Sequence, residues 1–280
     1  MARVTPKVMF PGQLDSTQAE WNPPEYPLRM LAEGDSWFSF GSWKLESMLT
    51  QLRLETPAAI VSLAQPGDTI RRMSDIANNL ELDHWLSARW GAFNWNAVLV
   101  SGGGNDLIDD ATKVIPASAA PQPDKPTDQY IDANALRKTL RDVADGYRRI
   151  VTLRDRADSP CPGVPLVTHA YDLVTPRDSP ARFLVAQQGP WLYPAMVAAR
   201  IPQNRWNDVA DFLLGELGKC LVDLEAELPN FHVARTQGRL TRAAAGTHGN
   251  SHDWANEIHP NGKGFRELGK PLADLIDALT

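Results

Sequence analysis

The sequence predicts an α/β protein built on a five-stranded parallel sheet with helices on both faces. Five short apolar segments are rich in β-branched or aliphatic residues and end at turn-forming residues, which indicates buried strands. Helical patterns alternate with these segments along the chain. Alternation of strand and helix at this spacing is typical of parallel sheets that are covered on both faces.

The predicted elements follow a regular order. The apolar runs that predict strands cover residues 28–33, 58–63, 97–101, 164–168 and 231–235. The patterns that predict helices cover residues 43–54, 70–90, 133–155, 207–228 and 264–279. Each predicted strand is therefore followed by one predicted helix, as a crossover between parallel strands requires.

The chain of 280 residues divides into an arm and one domain. Residues 1–27 are polar and rich in proline, which predicts an extended N-terminal arm. We expect residues 28–280 to form a single domain with inserts at about 107–132 and 175–206. The first insert has the composition of a long exposed loop.

The second insert is too apolar to be a solvated linker. Its large apolar and aromatic residues are Phe183, Leu184, Trp191, Leu192, Tyr193, Met196 and Trp206. Long inserts in α/β domains are usually functional loops or lids, so we interpret this segment as a lid. A satellite core or a contact between subunits explains the same composition equally well, and the oligomeric state stays open.

Composition and charge exclude several classes of protein. The net charge is −6 and no dense Lys/Arg stripe is present, which argues against nucleic-acid binding. Two cysteines, Cys161 and Cys220, are too few for a disulfide scaffold or a zinc framework. No apolar run approaches the length of a membrane span, and the N-terminus lacks the apolar region of a signal peptide. We therefore expect a soluble, cytoplasmic protein.

Polar and small residues stand where the predicted strands end. The first strand is followed by Ser36, the second by residues 65–69 and the third by residues 102–106, while residues 253–260 precede the last helix. Ligands of open parallel sheets bind at the carboxyl ends of the strands. A serine with a histidine base and prepositioned N–H donors is the set of groups that acyl transfer needs.

These blocks resemble those of the SGNH (GDSL) hydrolases, a family of serine esterases and lipases. Gly34-Asp35-Ser36 matches the first block and Gly67 the second. Gly103-Gly104-Asn105-Asp106 matches the third block and His259 the fourth. The four blocks occur in the family's order between residues 28 and 279, each beside its expected strand or helix.

The resemblance implies a fold and a set of roles. The fold would be a three-layer α/β/α arrangement with a flavodoxin-like sheet. Ser36 would be the nucleophile and His259 the general base. The backbone amides of Ser36 and Gly67 and the side chain of Asn105 would form the oxyanion hole. No metal and no organic cofactor is implied.

The sequence departs from the family pattern at two positions. Trp37 stands where the family usually has leucine, which concerns packing. Asn256 stands three residues before His259, where the family usually has aspartate. An asparagine can orient a histidine but contributes no charge. Asn256 is the favoured third member of the catalytic set because position 256 faces the imidazole, and Asp253 and Glu257 are close enough in sequence to replace it.

The same residues have plainer interpretations. Gly-Asp-Ser after a strand often only caps a helix, and residues 102–106 are compatible with an ordinary turn. A dinucleotide-binding loop is excluded because its G-x-G-x-x-G motif would need glycine at position 107, where the chain has Leu107. His248 and His252 have a spacing that suits zinc on a helix, but the intervening glycine and asparagine make a helix there unfavourable.

The functional prediction is a hydrolase that cleaves carboxylic esters through an acyl-serine intermediate. Its substrate would be a small-molecule, lipid or carbohydrate ester. A carbohydrate O-deacetylase and an acyltransferase share this chemistry and stay open. A binding module that retains the fold without catalysis is the alternative from another class, and Asn256 is its best support.

Overall fold

The structure is a computed structural model that describes residues 2–13, 25–39, 46–77, 79–87, 94–182 and 187–280. Its strands are β1 (Lys7–Met9), β2 (Leu28–Gly34), β3 (Ala58–Ser62), β4 (Ala97–Ser101), β5 (Leu166–His169), β6 (Ala181–Arg182), β7 (Gln187–Gln188) and β8 (Phe231–Ala234). Six of them form one parallel sheet in the order β1-β3-β2-β4-β5-β8. The predicted α/β class with a parallel sheet is confirmed.

The sheet has six strands where five were predicted. The additional strand, β1, lies within the predicted extended arm and pairs with β3, with Lys7 opposite Ala59 and Met9 opposite Val61. β1 is short, lies at the edge of the sheet and has a proline on either side. An edge strand needs a partner on one side only and tolerates flanking prolines, so its local sequence lacks the apolar run of a central strand.

The helices are α1 (Met48–Gln51), α2 (Ile70–Met73), α3 (Leu80–Trp85), α4 (Gly104–Asp109), α5 (Ala111–Val114), α6 (Ala133–Asp155), α7 (Tyr193–Ala198), α8 (Trp206–Glu227) and α9 (Gly262–Leu279). The predictions for the three long helices α6, α8 and α9 agree with these bounds to within two residues. Their clear apolar periodicity explains this agreement.

The predicted helix over residues 70–90 is wrong. The chain forms α2 and α3 instead, and residues 78 and 88–90 lie outside the described residues. The Asn79 side chain starts α3 by accepting the N–H of Leu82 at 3.1 Å, and it donates to Glu33 Oε2 at 2.7 Å. Glu33 lies on β2, so the break depends on a distant contact. The predicted helix over residues 43–54 is reduced to α1 within the described residues.

The two predicted inserts are more ordered than loops. Residues 107–114 continue α4 and form α5, and the remainder of the first insert ends in a 3-10 turn whose Tyr130 is buried. In the second insert, a β6–β7 hairpin precedes α7, and Ala195 and Met196 are buried against the core. Phe183 and Leu184, two of the residues behind the lid interpretation, lie outside the described residues.

Chain topology places the helices on the two faces of the sheet. β2 leads through α1 to β3 on one side, whereas β3 leads to β4 on the other side of β2. Right-handed crossovers in opposite directions place their helices on opposite faces. α1 packs with α9, and α6 packs with α2 and α8, which agrees with two separate layers. The direction in which the chain adds strands to the sheet changes at β2 and β4. The crevice beyond the carboxyl ends of these two strands is the expected ligand site.

No helix among the described residues is long and apolar enough to cross a membrane.

Candidate active site

Ser36 lies in a tight turn directly after β2. The N–H of Asp35 donates to the carbonyl of Ser101 on β4 at 3.0 Å, and Asp35 Oδ1 accepts the N–H of Trp37 at 3.0 Å. A Cβ at Gly34 would lie 2.8 Å from Ser101 Cβ, so only glycine permits this approach of β2 to β4. The turn therefore fixes the Ser36 backbone at the carboxyl end of the sheet.

The imidazole of His259 contacts the Ser36 hydroxyl. His259 Nε2 lies 2.8 Å from Ser36 Oγ, and both side chains are buried. The indole Nε1 of Trp37 donates to the carbonyl of Ile258 at 3.2 Å. This bond connects the turn that carries the serine to the loop that carries the histidine.

Asn256 fixes the orientation of the imidazole. Its Oδ1 lies 2.9 Å from His259 Nδ1 and also accepts the backbone N–H groups of Ile258 at 3.1 Å and His259 at 2.9 Å. Two backbone donors identify this amide atom as the oxygen. His259 Nδ1 therefore carries the hydrogen, which leaves the Nε2 lone pair to accept the Ser36 hydroxyl proton.

Asp253 and Glu257, the two alternatives to Asn256 as the residue that orients His259, make other contacts. Asp253 Oδ1 pairs with Lys263 Nζ at 2.8 Å, and its Oδ2 accepts the N–H of Thr241 at 2.8 Å. The carboxylate of Glu257 accepts backbone N–H groups of the second insert, including that of Tyr193 at 2.7 Å. Of the three residues, Asn256 is the one whose side chain bonds to the His259 imidazole.

The remaining predicted site residues lie on the neighbouring loops. Gly67 has a φ of +85° in the turn between β3 and α2, a conformation that favours glycine. Asn105, in the first turn of α4, donates from Nδ2 to the carbonyl of Asp68 at 2.9 Å. This bond uses one of the two hydrogens of the amide nitrogen. It connects the turn that carries Gly67 to the helix that carries Asn105. Asp106 strengthens the same connection by accepting the N–H of Ile70 at 2.7 Å.

Burial governs the protonation of the site. It lowers the pKa of His259 to about 3, so the imidazole is neutral and able to accept a proton at neutral pH. Burial also raises the pKa of Asp35 to about 6, although hydrogen bonds from Tyr171, Ser101 and the N–H of Trp37 act to lower it.

A narrow apolar pocket opens beside Ser36. Its lining combines Ser36 and Asn105 with the apolar side chains of Leu107, Ile108, Val174, Leu192, Leu214 and Ile258. The free space within it is about 30 Å³. Because a single water needs roughly 10–15 Å³ of such space, the pocket holds only a small group.

The structure shows contacts around the site that the sequence did not indicate. Trp191 packs edge-on against the ring of His259, with 5.3 Å between ring centroids. The buried guanidinium of Arg177 donates to the carbonyl of Asn256 at 2.7 Å and to the carbonyl of Gly249 at 2.7 Å. His169 Nε2 lies 2.9 Å from Ser101 Oγ. Their partners are distant in sequence, so no local pattern marks them.

The histidines considered for zinc are arranged differently. His248 Nδ1 bonds to the carbonyl oxygen of Asp178. His252 has a φ of +51°, which takes it out of any helix that would align the two imidazoles. Across the described ranges of the chain, no group of three or more His, Cys, Asp or Glu side chains has a metal-binding arrangement.

Comparison with known proteins gives structural similarity only. No family model matches the chain, and no curated protein matches it. Among solved structures, an inhibitor-bound aryl esterase from M. smegmatis is 14% identical with a TM-score of 0.48, covering 90% of this chain and 100% of that one. A carbohydrate acetylesterase from Sinorhizobium meliloti is 14% identical with a TM-score of 0.46 at the same coverage.

An acetyl xylan esterase from Geobacillus stearothermophilus is a third similar structure. It is 12% identical with a TM-score of 0.46, and the match covers 90% of this chain and 95% of that one. Structures described as SGNH hydrolases and GDSL-like lipases occur among the same matches.

Proposed function

We propose that this protein is a serine hydrolase that cleaves carboxylic esters through an acyl-serine intermediate. The observation that carries the proposal is the chain of contacts from Ser36 Oγ to His259 Nε2 at 2.8 Å and from His259 Nδ1 to Asn256 Oδ1 at 2.9 Å. A nucleophile, a base and a group that orients the base are the three parts of this chemistry.

The first half of the reaction forms the acyl-enzyme. Ser36 Oγ attacks the ester carbonyl carbon while its proton passes to His259 Nε2. The carbonyl oxygen becomes an oxyanion that accepts hydrogen bonds from the amides of Ser36 and Gly67 and from Asn105 Nδ2. The intermediate collapses with loss of the alcohol, which takes the proton from His259.

The second half returns the enzyme to its starting state. His259 Nε2 takes a proton from water as the water oxygen attacks the acyl carbon. Collapse of the second tetrahedral intermediate expels Ser36 Oγ, which regains its proton from His259, and releases the carboxylic acid. An alcohol in place of water would give acyl transfer by the same steps.

Asn256 takes the place of a carboxylate in this mechanism. Its oxygen holds the Nδ1–H tautomer of His259 but supplies no charge to stabilise the imidazolium that forms in each half-reaction. We therefore infer a slower enzyme than one with aspartate at this position. The direct Ser36–His259 contact favours this enzyme over a non-catalytic binding module.

The pocket favours a small acyl group on the substrate. Its free space of about 30 Å³ beside Ser36 suits a short acyl group such as acetyl better than a fatty acyl chain. Among the ester hydrolases, this observation favours a carbohydrate O-deacetylase. A hydrolase of small-molecule acetyl esters agrees with it equally well.

Hydrolysis of nitrophenyl acetate by matched serine variants tests the proposal. Ser36→Ala should abolish hydrolysis, whereas Ser39→Ala should retain it, because the Ser39 hydroxyl donates to the carbonyl of Asp35 in the same turn at 3.2 Å. Loss of a serine nucleophile costs on the order of 10⁴–10⁶ in kcat. Near-normal activity of a folded, clean Ser36→Ala preparation would exclude Ser36 as the nucleophile.

A further inference from the structure

Glu257 is a buried carboxylate whose contacts all lie in another part of the chain. Its Oε1 accepts the N–H groups of Tyr193 at 2.7 Å and Arg177 at 3.3 Å. Its Oε2 accepts the N–H groups of Leu192 at 3.1 Å and Trp191. The side chain is only 1% exposed. A carboxylate offers about four lone-pair sites, and four backbone donors occupy them all.

The segment that Glu257 holds forms part of the site. Trp191 lies edge-on against the imidazole of His259 at 5.3 Å between centroids. Leu192, 2% exposed, lines the apolar pocket beside Ser36. The carboxylate therefore joins the loop of the proposed base to the wall of the pocket.

This wall depends on Glu257 for its position. Leu192 is the N-cap residue of α7, and its side chain makes no capping hydrogen bond. The first N–H groups of a helix have no partner within the helix and need an outside acceptor. Glu257 supplies that acceptor for residues 191–193, where an unpaired buried N–H would be unfavourable.

Burial and hydrogen bonding act in opposite directions on this carboxyl. Burial raises the pKa of Glu257 to about 7, while the four N–H groups favour the ionised form. A protonated carboxyl or a glutamine would place a hydrogen against one of the four donors. The arrangement is therefore specific for a carboxylate, and an amide of the same shape does not replace it.

We propose that Glu257 sets the acyl chain length of the substrate by holding Leu192 across the pocket beside Ser36. The protein would thus favour esters of short acids such as acetate over esters of longer acids. This inference rests on the proposed ester hydrolase function. Glu257 is a positioning residue in it, because its carboxylate acts through Leu192 and not on the substrate.

A chain-length series tests the role of Glu257. The kcat/KM values for nitrophenyl esters from acetate to octanoate are measured for the wild type, Glu257→Gln, Leu192→Ala and Asp253→Asn. Asp253→Asn is the matched control, since this carboxylate lies in the same loop, is 3% exposed and also accepts a backbone N–H, from Thr241. Thermal unfolding of each variant reports whether the fold is kept.

The ratio of kcat/KM for hexanoate to that for acetate is the decisive quantity. We expect Glu257→Gln and Leu192→Ala to raise it about tenfold or more, because one methylene in an apolar pocket is worth about 10–200-fold. Asp253→Asn should leave it within about twofold of the wild-type ratio. A general loss of stability would lower both rates together and leave the ratio unchanged.

The outcomes separate this inference from the function on which it rests. An unchanged ratio in Leu192→Ala and in folded Glu257→Gln, with acetate still hydrolysed, overturns the role of Glu257 alone. If Glu257→Gln fails to fold, the ratio in Leu192→Ala decides. A wild type that hydrolyses long esters as fast as acetate also overturns it, whereas hydrolysis of no ester at all overturns the proposed function with it.

Discussion

Asn256 Oδ1 lies 2.9 Å from His259 Nδ1, at the position where a carboxylate would normally pair with the histidine of a serine hydrolase. The same oxygen accepts two backbone N–H groups of its own loop, so it is fixed independently of the imidazole. The contacts from Ser36 to His259 and from His259 to Asn256 thus end in a side chain that carries no negative charge. The rate and the pH dependence should both reflect this difference.

Removal of the Asn256 side chain should lower kcat more than removal of its neighbour Asp253. Asn256→Ala takes away the acceptor of His259 Nδ1, and one such hydrogen bond is worth about 1–1.5 kcal/mol, which is roughly 5–10-fold in rate. Asp253→Ala loses contacts to Lys263 and Thr241 and should reduce stability with kcat largely kept. Steady-state kinetics on both variants checks this order, and a larger kcat loss in Asp253→Ala would assign the orienting role to Asp253.

The pH profile should show the lowered basicity of the buried imidazole. A histidine base works in its neutral form, so kcat/KM rises with pH through the pKa of His259 in the free enzyme. Because burial lowers that pKa to about 3, activity should persist well below pH 6.5, the usual midpoint for histidine.

Asn256→Asp is the matched variant for this profile. A carboxylate beside the imidazole favours its charged form and should raise the pKa of His259 by about 1–3 units. The acid limb of kcat/KM should move upward by that amount, and kcat on the plateau should be kept or increased. If the acid limb of kcat/KM lies at the same pH in the wild type and in Asn256→Asp, position 256 does not act on the base.

Asn105→Ala should affect the transition state and leave substrate binding nearly unchanged. The loss of one oxyanion donor costs about 10²–10³ in kcat, which is about 2.7–4 kcal/mol. KM should change little, because the contact strengthens only when charge develops on the carbonyl oxygen. A variant whose only change is a higher KM would instead make Asn105 a substrate-binding residue.

Asp106→Ala should destabilise the fold. The Asp106 carboxylate is fully buried and accepts the N–H of Ile70 at 2.7 Å and Nε of Arg71 at 2.9 Å. The variant leaves the buried N–H of Ile70 without its acceptor and takes from Arg71 the nearest of its carboxylate partners, which should lower the free energy of unfolding by about 1–3 kcal/mol. Urea unfolding measures this change, and Asp109→Ala on the exposed face of the same helix is the control that should stay near wild type.

The sequence predicted most of the fold because its signals are local. The central strands and the helices α6, α8 and α9 carry apolar periodicity within their own residues. The meeting of Ser36 and Asn105 at one edge follows from the parallel strands β2 and β4 ending together. The loop before α9 adds His259 through its contact with Ser36. Their catalytic roles stay predictions.

The features that the sequence did not indicate depend on distant contacts. β1 lacks a central strand's apolar run because it needs only one neighbour, and the break before α3 depends on the bond from Asn79 to Glu33 on β2. The sequence suggests Glu257 only as an alternative partner of His259, yet its carboxylate accepts the N–H of Tyr193, 64 residues earlier in the chain. No spacing rule connects residues so far apart.

Covalent labelling of Ser36 by a fluorophosphonate tests the central claim most directly. The reagent reacts with a serine only when a base and an oxyanion hole activate it, so it reports the site independently of the natural substrate. We predict that micromolar reagent modifies the wild type at Ser36, as located by peptide mass, and modifies Ser39→Ala equally but not Ser36→Ala. A folded wild type that stays unmodified, or that carries the label on another serine, would contradict the account.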